Sequence, residues 1–170
     1  KRLAVTERFA GQKLLQIQSD SKIKLCDEQL TALDRVKTNP LCIITGGPGV
    51  GKTTVLSTLV QRAKASKLRI ALAAPTGRAA KRLTEATGEI AKTIHRLLQY
   101  DGNSRKFIYD ENNQLPFDLI IVDEISMLDI LLAWSLLKAV KTGTSLLLVG
   151  DADQLPSVGP GTILADFLRC

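Results

Sequence analysis

The sequence is poor in the residues that build disulfide frameworks, metal cages and stacking surfaces. Its three cysteines are an odd number without C-x-x-C spacing, so they indicate neither a disulfide framework nor a zinc site, and they fit a reducing compartment. Aromatic residues make up 4% of the chain. Any platform on which nucleic-acid bases stack would therefore be thin.

Long apolar runs and internal repeats are also absent. No stretch approaches the roughly 20 apolar residues that cross a bilayer, and residues 1–8 carry charge too early for a signal peptide. We therefore expect a soluble, cytoplasmic protein without membrane contact. Because the sequence starts at Lys1 and Met127 is its single methionine, we also expect an excerpt of a longer protein.

Short apolar runs alternate with helical patterns along the chain, which predicts one doubly wound α/β domain over residues 25–170. Residues 1–24 are interpreted as the end of a preceding domain. A polar insert at about 99–118 is predicted to form a small hairpin, with 105–110 as one strand and a turn at 112–113. The strands, each apolar enough for burial on both faces, are predicted at 41–45, 69–74, 119–122 and 146–149, and the helices at 27–36, 53–66, 79–87, 129–140 and after Thr162.

Residues 46–53 match the phosphate-cradling pattern G-x-x-x-x-G-K-[ST] directly after the first predicted strand. Glycines let backbone N–H groups wrap a phosphate at the positive end of the following helix. Lys52 supplies charge to the outer phosphates and Thr53 a hydroxyl for Mg²⁺. A plain glycine-rich turn needs neither side chain, so the motif predicts a nucleotide triphosphatase. The predicted nucleotide-binding residues here are Gly47, Pro48, Gly49, Val50, Gly51, Lys52, Thr53 and Thr54.

Two adjacent carboxylates, Asp123 and Glu124, follow the strand predicted at 119–122. Open α/β sheets bind their ligands at the carboxyl ends of strands, and successive strand side chains diverge, which gives each its own task. Asp123 is predicted to hold Mg²⁺, and Glu124 to orient and deprotonate the attacking water. Considered without the phosphate loop, the pair fits a solubilising strand end equally well.

A glycine- and proline-rich segment, residues 150–161, follows the last predicted strand. An exit loop would need no more than its three glycines and two prolines. Gln154 lies within it, and a glutamine amide beyond a sheet edge can hydrogen-bond both a γ-phosphate and the surrounding loop. Gln154 is therefore a candidate catalytic sensor that distinguishes ATP from ADP.

The net charge of +6 is concentrated in one region. Residues 62–109 hold eleven Lys/Arg against three Asp/Glu, a balance of +8, and the rest of the chain holds twelve against fourteen. A concentrated basic face suggests a polyanion as partner. The alternative is a solvated helix surface with spare lysines.

Five stretches resemble, in order, spacing and residues, successive motifs of RecD-like superfamily-one DNA helicases. The similarity covers roughly residues 25–168, and Arg78 in the second stretch resembles RecD-like proteins more than the related Pif-type helicases. The polar insert also resembles that family. The five stretches are 45–54, 74–83, 93–98, 118–129 and 150–161.

This resemblance implies a RecA-like P-loop NTPase domain, a mainly parallel sheet with helices on both faces. It would be the first of two motor domains that bind ATP between them and move 5′-to-3′ on single-stranded DNA. The resemblance also implies that Gln29 recognises adenine, although as a residue it reads simply as part of a helix surface. The implied DNA-binding residues are Pro75, Thr76, Arg78 and His95.

Thr93 and Arg96 are expected to help shape that DNA channel, whereas a single histidine such as His95 is more often packed for structural reasons. In the family, the second motor domain supplies the arginine that stabilises the transferring phosphoryl group, and nuclease-complex subunits are among the partners. We therefore expect this chain to bind Mg·ATP, to hydrolyse it slowly, and not to unwind DNA alone.

Two other classes of protein remain open from the residues. One is a small-molecule kinase built on the same phosphate loop, which would need an acceptor pocket and a lid. The other is a DNA-binding or assembly module in which the nucleotide acts as a switch. Gln154 suits such a switch as well as it suits a motor.

Overall fold

A computed structural model of the chain describes residues 26–47, 49–151 and 163–164. The expectations for residues 1–24, for Pro48 and for Gln154 fall outside these ranges. Of the helix expected after Thr162, Ile163 and Leu164 are described; both are helical and buried. No helix among the described residues is long and apolar enough to span a membrane.

The described residues form helices and strands in alternation, close to the predicted order. The helices are α1 (Asp27–Thr38), α2 (Lys52–Ala65), α3 (Gly77–Thr87), α4 (Ile94–Leu97) and α5 (Ile130–Ala139). The strands are β1 (Leu41–Thr45), β2 (Ile70–Ala74), β3 (Ala91–Thr93), β4 (Tyr100–Asp101), β5 (Lys106–Phe107), β6 (Leu119–Val122) and β7 (Ser145–Gly150). A 3₁₀ turn, Ile125–Met127, joins β6 to α5.

Within the described residues, the main sheet has the order β1-β7-β6-β2-β3, and every pair is parallel. β6 and β7 are buried along their whole length. β1 was expected to be buried on both faces, and this was wrong: Leu41 and Thr45 are exposed, because β1 pairs on one side only within the described part. β3 was not predicted, since it is short and contains Lys92 rather than an apolar run.

Alternate residues of the central strands point to opposite faces of the sheet, and each face has its own core. Ile120 and Val122 of β6 pack with α4 and α5, whereas Leu119 and Ile121 pack with α1 and α2. β7 divides in the same way. Helices therefore cover both faces of a parallel sheet, and the predicted α/β class is confirmed.

Side-chain caps fix where three helices begin. Thr76 Oγ1 accepts a hydrogen bond from Ala79 N at 3.2 Å, so α3 begins at Gly77, two residues earlier than predicted. Asp129 Oδ1 accepts from Leu132 N at 2.9 Å, so Asp129 caps α5 rather than lying inside it. Thr93 caps α4 in the same manner.

The predicted hairpin exists, but its turn was placed wrongly. β4 and β5 pair antiparallel as Tyr100 opposite Phe107 and Asp101 opposite Lys106, so the turn lies at 102–105. The Asp101 carboxylate accepts hydrogen bonds from two backbone N–H groups in this turn. The asparagines at 112–113 instead donate their N–H groups to the carboxylate of Asp110, forming a separate turn.

Replacing Ile121 with alanine should lower the free energy of unfolding by about 2–5 kcal/mol, because this residue is fully buried on the central strand β6 and its loss leaves a cavity. Leu131, which is 69% exposed on α5, is the matched control, with an expected change within about 0.5 kcal/mol for Leu131→Ala. Urea unfolding of the purified chain measures both. Equal effects would contradict the two-faced core described above.

Candidate functional site

A cleft of about 480 Å³ lies at the carboxyl ends of the parallel strands. β7 lies between β1 and β6, with Thr45 opposite Gly150 and Val122 opposite Leu148. The residues that follow these three strands therefore meet at one edge of the sheet. The cleft is lined by Gly47, Gly49, Gly51, Lys52, Thr53, Leu56, Arg82, Asp123, Glu124 and Asp151.

Two positions in the loop between β1 and α2 have a backbone conformation that favours glycine. Gly49 and Gly51 adopt φ angles of +80° and +85°, in the left-handed region that side chains disfavour. A Cβ at Gly51 would also overlap the amide nitrogen of Gln29. A Cβ at Gly46 would lie 2.7 Å from Cγ2 of Val50. The glycines therefore serve both conformation and close packing.

Lys52 opens α2 and folds back over this loop. Its ammonium group donates hydrogen bonds to the carbonyl oxygens of Gly46 and, at 2.8 Å, of Gly47. The first turn of α2 contains no acidic side chain that would offset the positive end of its dipole. The helix end and the ammonium group of Lys52 thus both supply positive charge at this loop, as an anion-binding site requires.

The carboxylates of Asp123 and Glu124 both line the cleft, as predicted. The pKa of Asp123 is raised above its usual value, chiefly because the side chain is buried and also because the charge of Glu124 is close. The hydrogen bond from Glu124 N to Asp123 Oδ1 (2.9 Å) and the charge of Lys52 partly offset this rise. Glu124 itself has a φ of +56°, unusual for a residue with a side chain. Its backbone leaves the strand abruptly, and strain of this kind is typical of functional sites.

The cleft residues fit a Mg²⁺ ion that arrives with a nucleotide. The described residues contain no group of three or more His, Cys, Asp or Glu side chains that could hold a metal unaided. The cleft instead combines one hydroxyl, Thr53, with the carboxylate of Asp123. Mg²⁺ in phosphate-transfer sites usually takes one or two carboxylates and completes its shell with phosphates and water. A permanent metal cage is not needed for that chemistry.

Gln29 lies beside the phosphate loop, not on an open helix surface. Its side-chain oxygen accepts a hydrogen bond from Cys26 N at 3.1 Å, which caps α1, and its amide nitrogen lies against Gly51. A carbonyl oxygen has a second lone pair, so an adenine amino group can still bind there. The assignment of Gln29 to adenine remains a prediction. Val50 and Thr54, also predicted to bind nucleotide, do not line the cleft among the described residues.

A second pocket of about 470 Å³ lies between α3, β3 and α4. Three of its side chains are cationic, and each is exposed. Lys81 and Lys92 were missed as individual site residues, although the excess positive charge of this region was evident in the sequence. We call this the basic pocket; it is lined by Gly77, Ala80, Lys81, Ile90, Ala91, Lys92, Thr93 and Arg96.

The four predicted DNA-binding residues do not line the basic pocket, although Thr76, Arg78 and His95 are next in sequence to residues that do. Pro75 and Thr76 follow β2 at the start of α3, and the Thr76 hydroxyl is occupied as the cap. Arg78 is exposed on the first turn of α3. His95 is exposed on α4 rather than packed in a core.

His95 belongs to an aromatic cluster that sequence reasoning missed. Its ring centroid lies 5.9 Å from that of Tyr100 and 5.8 Å from that of Phe107, and the last two are 5.2 Å apart. Tyr100 is 45% exposed. The hairpin β4–β5 brings these rings together. Because the turn of this hairpin was predicted at 112–113, the sequence did not indicate the cluster.

The glycine loop, the cleft residues and the parallel sheet together define a P-loop NTPase domain with a RecA-like fold. A family model described as an AAA domain matches residues 29–160, most of the chain. The chain belongs to this family and, within it, to the RecD-like superfamily-one helicases, as a motor domain.

Individual proteins give the same family. The chain is 46% identical over 137 residues to the ATP-dependent RecD2 DNA helicase of Deinococcus radiodurans, a match that covers 81% of this chain and 19% of that protein. It is 42% identical over 165 residues to the RecBCD enzyme subunit RecD of Mycobacterium tuberculosis, covering 84% and 28%. A solved structure of Bacteroides Pif1 bound to single-stranded DNA matches with a TM-score of 0.54 and 28% identity, covering 86% and 36%. The chain thus spans less than a third of each curated relative.

The contact between Gln29 and Gly51 yields a stability prediction. Gly51→Ala should destabilise the chain by about 1–3 kcal/mol, because the new Cβ meets the Gln29 amide and the φ of +85° is unfavourable for alanine. Replacing Gln29 with alanine removes the overlap. Gly51→Ala should therefore lower stability less in the Gln29→Ala background than in the parent.

Gly77→Ala is the control for that experiment. Its Cβ would meet nothing within 4 Å and it lies in the first turn of α3, so alanine should leave stability unchanged or raise it by up to about 1 kcal/mol. Thermal unfolding of the parent and of Gly51→Ala, Gln29→Ala, the double variant and Gly77→Ala gives the required differences. An equal cost of Gly51→Ala with and without Gln29 would show that the two residues do not interact.

Proposed function

We propose that this chain is an ATP-binding and ATP-hydrolysing motor domain of a DNA helicase that moves 5′-to-3′ along single-stranded DNA in the cytoplasm. The observation that carries the proposal is the meeting of Lys52, Thr53, Asp123 and Glu124 in one cleft at the sheet edge. Family membership and the adjacent basic pocket support it.

Each side chain of the cleft has a separate task in this proposal. Lys52 would exchange its bonds to the loop carbonyls for bonds to the outer phosphates of ATP. Thr53 and Asp123 would hold Mg²⁺, which when bound neutralises charge on the phosphates. Glu124 would orient the attacking water and take its proton. Gln154 keeps its predicted role as a sensor of the γ-phosphate.

The DNA strand would lie across the basic pocket. Lys81, Lys92 and Arg96 would contact phosphates, and the Thr76 loop with Arg78 would extend that surface. His95 and Tyr100 offer exposed ring faces next to it, on which bases can stack. The Bacteroides Pif1 structure, a relative of the same fold, holds single-stranded DNA, which supports this class of ligand.

We further propose that efficient hydrolysis depends on a second RecA-like domain. Its arginine would stabilise the transferring phosphoryl group, an effect that supplies roughly 10³–10⁵ in rate in related systems. The chain spans 19% and 28% of two relatives, which leaves room in proteins of that length for such a domain. One relative is a subunit of the RecBCD enzyme, so subunits of a nuclease complex are candidate partners.

Lys52→Ala in the complete gene product that carries this chain should reduce ATP turnover in the presence of single-stranded DNA by about 10²-fold or more, because a preorganised charge on the phosphates is lost. Lys141→Ala removes the same charge from an exposed position after α5 and should leave turnover unchanged. Steady-state phosphate release measures both. Parent-like hydrolysis by the Lys52 variant would refute the ATPase assignment.

Lys81→Ala/Lys92→Ala in the same protein should weaken binding of single-stranded DNA and make it less sensitive to salt. Each lost phosphate contact reduces the slope of log K against log salt by about 0.7 for single strands. Fluorescence anisotropy with labelled oligonucleotides from low to moderate salt gives the slope, with Lys141→Ala as control. An unchanged slope would show that DNA does not bind at the basic pocket.

The two other protein classes make different predictions in these assays. A small-molecule kinase would show turnover indifferent to single-stranded DNA. A switch module would bind DNA with an affinity that depends on an ATP analogue, yet would show no strand separation or movement. Turnover stimulated by DNA distinguishes a motor from the kinase, and strand separation or movement distinguishes it from the switch module.

A further inference from the structure

Helix α3 lines both sites with neighbouring residues. Gly77, Ala80 and Lys81 face the basic pocket, whereas the next residue, Arg82, lines the nucleotide cleft. Successive residues of an α-helix are separated by about 100° around its axis, so Lys81 and Arg82 reach different surfaces from the same turn. One helix therefore spans the wall between the two proposed ligands.

α3 is packed against the rest of the domain from its first turn to its last. Ala79, Ala80 and Leu83 are buried against the sheet and its neighbours. Thr84 donates to the carbonyl oxygen of Ala80 and accepts from Ala91 N at 2.9 Å, which ties the middle of α3 to β3. A displacement imposed at the basic pocket would therefore reach the whole helix rather than be absorbed in its first turn.

Arg82 is a free cation within the described part of the chain. Its side chain is exposed and makes no hydrogen bond or ion pair with the described residues. A guanidinium group offers five donors in a planar fork that matches phosphate oxygens. Lys52 and Arg82 are the cationic side chains among the residues that line the cleft, and the carboxylates there are Asp123, Glu124 and Asp151.

We propose that Arg82 binds the phosphates of the nucleotide and couples DNA binding to ATP use. The inference rests on the proposed function, since it requires ATP in the cleft and single-stranded DNA in the basic pocket. DNA phosphates at Gly77 and Lys81 would set the position of α3, and the position of α3 would set the reach of Arg82 toward the nucleotide. If bound DNA strengthens nucleotide binding in this way, the nucleotide must strengthen DNA binding by the same factor.

Arg82→Gln in the complete gene product tests this with three measurements: the Kd of a fluorescent ATP analogue, the Kd of single-stranded DNA with and without a non-hydrolysable analogue, and the stimulation of turnover by DNA. We expect analogue affinity to fall several-fold. The ratio of the two DNA affinities, about 5- to 150-fold in coupled systems, should fall toward one. DNA affinity without nucleotide should stay unchanged, because Arg82 does not line the basic pocket.

Two companion variants sharpen the result. Arg82→Lys retains a charge without the planar fork and should recover part of the coupling. Lys141→Gln removes a matched exposed charge elsewhere and should behave as the parent. A melting temperature equal to that of the parent establishes that Arg82→Gln is folded, as its exposure leads us to expect.

Parent-like coupling in Arg82→Gln would overturn the inference while leaving the proposed function intact, provided that Lys52→Ala abolishes turnover. Weaker DNA binding by Arg82→Gln without nucleotide would also overturn it, because Arg82 would then belong to the DNA site. If the parent neither hydrolyses ATP nor couples the two ligands, the proposed function fails and this inference fails with it.

Discussion

The parallel pairing of β7 between β1 and β6 is the constraint on which the site depends. It places the ends of three strands at one sheet edge, so that Lys52, Asp123 and Asp151 meet although about a hundred residues separate the first from the last. Adjacent strands are about 4.8 Å apart. With β7 between them, β1 and β6 therefore lie roughly 10 Å apart.

Most residues of the cleft could be predicted from the sequence because the patterns that indicate them are local. Glycine spacing, Lys52 and the carboxylates after β6 each follow an apolar strand, and strand ends in parallel sheets converge. β3, by contrast, has no apolar run and forms through pairing with β2, which is a tertiary effect. Arg82 could not be assigned to the cleft, since the packing of α3 decides which way it faces.

Helix α3 also explains why the uneven distribution of charge in the sequence did not indicate two separate binding pockets. The excess of Lys and Arg in residues 62–109 suggested a single polyanion surface. The structure divides that charge between two pockets, with Lys81 on one side and Arg82 on the other. The helix flanks both pockets, and its small buried residues, Ala79 and Ala80, allow close packing against the rest of the domain.

Glu124 has a left-handed backbone conformation that is unfavourable for a residue with a side chain. A φ of +56° costs of order 1–3 kcal/mol for a residue with a Cβ, and glycine would adopt it without that cost. The chain nevertheless carries a carboxylate there, at the start of the segment that turns from β6 into the 3₁₀ helix. Replacing Glu124 with glycine would therefore relieve the backbone and at the same time take one carboxylate out of the cleft.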